Sequence, residues 1–225
     1  MMMLQLSNIT KMYNRSHKEI LAVDNIDLQV KKGEFIGIIG SSGCGKSTLL
    51  NMITGLLKPT SGEILFNGKD ITKMKAHQVD NIRSRNIGYV MQGQNLLSNL
   101  KITDNLYLPQ LLTGVNEDID KKIDDVLELV GLCDTKYAYP SELSGGELKR
   151  ISIARAILYN PIMIIADEPT GNLDPDNTTK IIELFQSISN KGVSVIVSTH
   201  DYKFLDYTDK LYKMDNGAIT SHSFN

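Results

Sequence analysis

Near the start of the chain, apolar and polar residues alternate. Leu4 and Leu6, then Ile26, Leu28 and Val30, fall at every second position. That is the period of strands with one face buried, so Leu4–Phe66 reads as strand-rich and antiparallel. Phe35–Ile39 breaks the alternation with a continuous apolar run, which predicts a strand buried on both faces. A glycine-rich turn follows, and Lys46–Gly55 reads as a helix.

The rhythm then changes. Ile119, Ile123, Val126, Leu127 and Val130 recur at helical spacing, so Asp118–Gly131 predicts an amphipathic helix closed by Gly131. Thr103–Leu112 and Ser144–Asn160 read as further helices, the latter with Gly-Gly at its start and Pro161 just beyond. Ile162–Ala166 and Val193–Ser198 are buried-strand patterns. Between them Asn177–Asn190 carries Ile181, Leu184, Phe185 and Ile188 on one face. Strand, helix, strand in that order implies parallel pairing with right-handed crossovers, an α/β class. Ile87–Met91 is another apolar strand. Lys210–Met214 and Ala218–His222 suit a terminal hairpin turning at Asn216-Gly217.

No apolar segment approaches the roughly 18 residues of a membrane helix. Met1–Asn8 has no basic stretch leading into an apolar one. The expectation is a chain kept in the cytoplasm that docks on a membrane only through a partner. The 225 residues can build one large core, and no linker or repeat divides them. The 24 basic and 26 acidic residues leave a net charge of −2, which argues against nucleic acid as a partner. The two cysteines, Cys44 and Cys133, exclude a disulfide scaffold and lack metal-site spacing.

Gly40-Ser41-Ser42-Gly43-Cys44-Gly45-Lys46-Ser47 matches G-x-x-x-x-G-K-[ST]. Its glycines let backbone N–H groups turn inward around a polyphosphate. The following helix, through Thr48, aims its positive end at the phosphates. Lys46 adds a charge between the β- and γ-phosphates, and Ser47 offers a hydroxyl to Mg²⁺. The bland alternative is a plain glycine-rich turn, but a buried strand leads in and a helix leads out, as phosphate binding needs.

Asp167-Glu168 follows the Ile162–Ala166 strand, at the end where α/β sheets bind ligands. Asp167 suits Mg²⁺. Glu168 points elsewhere and suits a general base acting on water. Alone, the pair reads as an acidic N-cap; the upstream phosphate loop favours chemistry. Ser144-Gly145-Gly146-Glu147 predicts a capping box, Ser144 with Glu147 three residues on. The same helix start is a second anion site. One nucleotide has no use for two such sites in one subunit, so this one is expected to meet the γ-phosphate held by another copy.

With these motifs the chain resembles, over essentially its whole length, the nucleotide-binding subunit of ABC (ATP-binding cassette) transporters. Leu143–Glu147 is similar to the family signature, with Glu147 in a glutamine position. The resemblance implies a RecA-like P-loop core with a parallel sheet, an N-terminal antiparallel β subdomain, and a helical subdomain inserted at about 93–160, all one domain spanning 1–225. It implies ATP and Mg²⁺ as cofactors, with Ser47, Gln92 and Asp167 as metal residues. Tyr13 resembles the residue stacking on adenine, against the alternative of a packed strand tyrosine. Gln92 resembles the glutamine that senses Mg²⁺ and couples to the membrane partner. Asp174, in Asn172-Leu173-Asp174, resembles the residue reaching across the dimer. His200, in Ser-Thr-His-Asp, resembles the histidine that contacts the γ-phosphate. The catalytic set implied is Glu168, His200 and Lys46.

Asp167–Asp174 and Pro140–Gly146 resemble the macrolide-export, lipoprotein-release and peptide-antibiotic-resistance subgroup more narrowly. That implies a homodimer formed on ATP binding and a membrane permease with an extracytoplasmic domain. It places the subunit on the cytoplasmic face of the membrane, driving export or extraction of a peptide, lipoprotein or drug. The alternatives are an ATPase controlling wall hydrolases in cell division and a soluble non-transport ABC protein. Leu96, Leu97, Leu100 and Leu106 are expected either to line the partner's groove or simply to pack the helical part.

Overall fold

The computed structural model describes residues 1–15, 18–93, 95–113 and 118–222. β1 (Met2–Arg15) and β2 (Lys18–Lys31) pair antiparallel. Their register sets Leu4 opposite Val30, Leu6 opposite Leu28 and Ile9 opposite Ile26, which brings the alternating apolar residues together on one buried face. β1 also pairs antiparallel with β4 (Ser61–Phe66), and the short β5 (Lys69–Asp70) completes a sheet ordered β2-β1-β4-β5.

The second sheet follows the order β10-β9-β3-β8-β7-β6. Its members are β3 (Phe35–Ile39), β6 (Ile87–Val90), β7 (Met163–Asp167), β8 (Ser194–Thr199), β9 (Lys210–Asp215) and β10 (Ala218–His222). All its pairings are parallel except β9 with β10, an antiparallel edge hairpin. Asn216 and Gly217 turn that hairpin at φ 46° and 83°, the left-handed pair its two-residue turn requires.

The continuous apolar runs have a direct cause, since both faces of the second sheet are covered. Phe35, Ile164, Ala166, Val195 and Val197 enter a core with the helices. Ile36, Ile38, Met163, Ile165 and Ile196 enter a second core shared with the N-terminal sheet and α1 (Lys46–Ile53). α3 (Ile102–Thr113), α4 (Asp120–Leu129) and α5 (Gly145–Ile157) lie between β6 and β7 in the chain, and α6 (Pro175–Asn190) links β7 to β8. The amphipathic face predicted for α4 is buried, and Gly131 follows its end at φ 68°.

One helix was not visible in the apolar pattern. α2 (Ala76–Asn86) fully buries none of its residues and packs only Val79 and Ile82 against the second core, too short an apolar stripe to stand out. Its start is held by Gln78, whose Oε1 accepts from the Lys75 N–H at 3.0 Å, and Arg83 pairs with Asp80 at 2.6 Å on its surface.

β3, β8 and β7 are adjacent, with Ile39 level with Thr199 and Ser198 level with Asp167. The segments leaving those three strands therefore emerge side by side. α5 crosses β6 so closely that a Cβ on Gly88 would lie 2.3 Å from the carbonyl oxygen of Ala156. Gly88→Ala is therefore expected to force the helix off the strand and cost about 1–3 kcal/mol, the usual range for overpacking. Urea unfolding measures it, and an unchanged midpoint would refute this contact.

Candidate functional site

The turn after β3 is shaped by its neighbours. A Cβ on Gly40 would meet the Met214 carbonyl oxygen at 2.3 Å, and one on Gly45 the Ala22 oxygen at 2.2 Å. The Gly217 N–H donates to the Cys44 carbonyl at 3.0 Å, so the β9–β10 hairpin braces the loop from below. Ser41, Ser42 and Gly43 face outward; Cys44 is buried beneath them, and Ser47 and Thr48 are half-buried. α1 is preceded by Gly45 at its N-cap, φ 111°, with no side-chain cap and no acidic residue in its first turn. Its leading N–H groups are thereby available to an external acceptor.

Lys46 is only 6% exposed. Its ammonium donates to the carbonyl oxygens of Gly40 at 2.7 Å and Ser41 at 3.1 Å, and lies 3.4 Å from Oε1 of Glu168. A buried ammonium requires such partners, since one left unpaired costs several kcal/mol.

Asp167 and Glu168 diverge as expected. Asp167 is buried, and its Oδ1 accepts from the Ser198 hydroxyl on the neighbouring strand. The Glu168 N–H donates to the Ser198 carbonyl at 2.9 Å. Glu168 itself sits at φ 49°, left-handed for a residue with a side chain. That backbone turn directs its carboxylate to Lys46 on one side and to Nδ1 of the exposed His200, at 2.8 Å, on the other. Such strain at a non-glycine residue is typical of functional sites. Behind the pair, Tyr89 donates to Asn51 Oδ1 at 3.0 Å. Burial first, and the Asp167 charge second, push the Tyr89 phenol up to about 12.

The donor set fits nucleotide and metal. The loop with its uncapped helix start suits phosphates. Oδ2 of Asp167 has no protein partner among the described residues, which leaves a carboxylate oxygen for a hard cation.

The α5 start forms the predicted capping box. Ser144 Oγ accepts from the Glu147 N–H at 3.4 Å, and Glu147 Oε2 accepts from the Ser144 N–H at 2.8 Å. These bonds, the Ser144 hydroxyl foremost, hold the Glu147 carboxyl below its usual range. Asp174 caps α6, accepting from the N–H groups of Asp176 and Asn177 at 3.1 and 2.9 Å. The Asn177 N–H, then its side chain, keeps Asp174 low. The Asn177 amide also bonds Asp174 at 2.5 Å and packs where a Cβ on Gly146 would stand, at 2.6 Å. The two helix starts are thus fitted together.

Lys46, Asp167, Glu168 and His200 therefore meet at one end of the second sheet. Among the described residues, no hydrogen bond or ion pair joins Ser144, Gly145, Gly146, Glu147 or Asp174 to that cluster. Gln92 is exposed in the bend after β6. Tyr13 is exposed on β1, with the Lys11 ammonium 5.4 Å from its ring centre, so it is not the packed tyrosine of the bland alternative. Leu106 is fully buried and Leu96 packs on the core, as packing residues do, while Leu97 is exposed. Ser198 and Asn177 escaped the sequence reading. A serine inside an apolar strand was the signal for the first; a helix-start asparagine gave little for the second.

Comparison with known proteins agrees with this geometry. Residues 23–171 match the ABC transporter family model. The chain is 43% identical to the methionine import ATP-binding protein MetN of Carboxydothermus hydrogenoformans, over 90% of this chain and 60% of that protein. The chain thus spans under two thirds of that relative's length. It is 39% identical to the lipoprotein-releasing system ATP-binding protein LolD of Blochmanniella floridana, over 95% of this chain and 92% of that protein. The dimeric ATP-binding cassette MJ0796, in a post-hydrolysis state with ADP and Pi, superposes with a TM-score of 0.91 at 33% identity, over 99% of each chain. The fold is that of an ATP-binding cassette, and the chain belongs to the ABC transporter family.

Proposed function

We propose that this chain binds ATP with Mg²⁺ and hydrolyses it to ADP and phosphate as the ATPase subunit of a transporter. One observation carries the reading: Glu168 stands between the Lys46 ammonium at 3.4 Å and His200 at 2.8 Å, beside a phosphate-type loop. Gly40–Thr48 holds the phosphates, Lys46 exchanging its Gly40 and Ser41 contacts for phosphate oxygens. Tyr13 stacks on the adenine. Glu168 accepts the proton of the attacking water, and His200 orients and stabilises that carboxylate. Ser47, Gln92 and Asp167 would hold Mg²⁺, which supplies charge neutralisation to the phosphate oxygens. Ser144, Gly145, Gly146 and Glu147, with Asp174, serve the nucleotide of a second copy, so two chains close head to tail around two ATP molecules. Domain limits of 1–225, with a helical part at about 93–160, follow from the same reading.

The finer proposal is that the dimer works on the cytoplasmic face of a membrane. No helix among the described residues is long and apolar enough to cross one. A permease with an extracytoplasmic domain would carry the substrate site, for export or extraction of a peptide, lipoprotein or drug. The near full-length likeness to LolD supports this. The likeness to MetN supports a second reading, an importer's ATPase. Co-purification from membranes separates them by whether the captured permease has a large extracytoplasmic domain.

Two variants test the chemistry. Glu168→Gln is expected to slow ATP hydrolysis by about 10²–10⁴-fold, the usual worth of a general base, with ATP affinity retained. A phosphate-release assay showing full turnover contradicts the base assignment. Ser144→Arg is expected to spare ATP binding and abolish hydrolysis, because it fills the cross-subunit anion site with bulk; normal hydrolysis refutes that arrangement.

A further inference from the structure

Strand β8 carries two serines on one face of the sheet. Ser194, Ile196 and Ser198 alternate along it, and Ile196 enters the core shared with α1, together with Ile165 of β7. Both serines are fully buried. Aliphatic side chains fill the neighbouring positions of that face, so packing alone calls for a hydroxyl at neither. A buried hydroxyl costs free energy unless it is bonded, and the two serines are bonded differently. The Ser194 hydroxyl accepts from the Gly33 N–H at 3.0 Å and donates to the Lys31 carbonyl at 3.2 Å. It ties the strand to the turn before β3, at the end of the sheet opposite the site.

Ser198 faces the site instead. It stands level with Asp167 across the parallel β7–β8 ladder, which puts the two side chains on the same face. Its hydroxyl donates to Oδ1 of Asp167. The Glu168 N–H lies 3.3 Å from the same hydroxyl oxygen and donates to the Ser198 carbonyl at 2.9 Å. One residue thus holds both acidic residues, Asp167 by its side chain and Glu168 by its backbone. The last torsion of an aspartate is broad and roughly two-fold, so an unheld Asp167 would present either oxygen. A charge-assisted bond to Oδ1 selects one orientation, and Oδ2 is the oxygen left open.

We propose that Ser198 is a positioning residue for the metal: its hydroxyl fixes the rotation of Asp167 so that Oδ2 is the oxygen offered to Mg²⁺. The inference rests on the metal role proposed for Asp167 and adds the residue that aims it. Hydrogen-bond partners of metal-ligating side chains orient the ligand in this way, and losing one typically costs about 10–100-fold in metal affinity.

Mn²⁺ binding reads this without turnover. Mn²⁺ is titrated into protein held in excess over the β,γ-imido analogue of ATP, and free Mn²⁺ is followed by electron paramagnetic resonance. Valine and threonine have nearly the same shape and differ in the hydroxyl, so strain from the added methyl is common to Ser198→Val and Ser198→Thr. Ser198→Val is expected to bind Mn²⁺ about 10–100-fold more weakly than Ser198→Thr. Ser194→Ala, which removes a buried hydroxyl of the same strand face, is expected to lower the melting temperature and leave Mn²⁺ binding unchanged. Asp167→Asn separates this inference from the reading beneath it. If Asp167→Asn weakens Mn²⁺ binding while Ser198→Val and Ser198→Thr bind alike, Asp167 holds the metal but Ser198 does not aim it, and the inference alone is overturned. If Asp167→Asn binds Mn²⁺ as the unaltered protein does, the metal role of Asp167 falls and the inference with it. An equal loss of Mn²⁺ affinity in Ser194→Ala also overturns it, because a general loosening of β8 would then explain the effect.

Discussion

A positive charge buried at the carboxyl end of a parallel sheet governs this molecule. The Lys46 ammonium is fixed to the first residue of α1, and α1 is fixed by the Leu49, Leu50 and Ile53 side chains in the core beneath the sheet. The charge has to find its partners where the helix puts it. It finds two loop carbonyls and Glu168. Removing those partners would leave a buried charge that costs about 3–5 kcal/mol. The strand order β3-β8-β7 makes the meeting possible, because parallel strands with level ends deliver Lys46, Glu168 and His200 to one place.

The opposite requirement shapes the signature helix. Its start satisfies its own leading N–H groups with Ser144 and Glu147, and it is wedged against α6 through Gly146 and Asn177. Nothing bonds it to the Lys46 cluster of its own chain among the described residues. Each chain thus carries two anion-seeking surfaces that do not meet. The proposed head-to-tail pair of chains brings one of each kind to every nucleotide.

Much of this was legible in sequence because burial writes a period into the chain. β3, β7 and β8 are buried on both faces and read as continuous apolar runs; β1 and β2 are buried on one face and alternate. The phosphate loop and the Asp167-Glu168 pair were legible because their chemistry needs fixed residue types at fixed spacing. α2 left little trace, since only Val79 and Ile82 pack against the core and neither is fully buried. The left-handed backbone at Glu168 was also hidden. It arises from the Ser198 carbonyl holding the Glu168 N–H, a contact between strands that no local pattern encodes. Asn177 was missed for a similar reason, because its role depends on a glycine 31 positions earlier in the chain.

The measurement closest to the central claim is the mass of the Glu168→Gln protein by size-exclusion chromatography with light scattering, with and without ATP and Mg²⁺. The account predicts a monomer of 25.0 kDa without nucleotide and a doubling of that mass only when ATP is present. A monomer under both conditions, with ATP demonstrably bound, would contradict the claim that the signature turn of one copy completes the site of another.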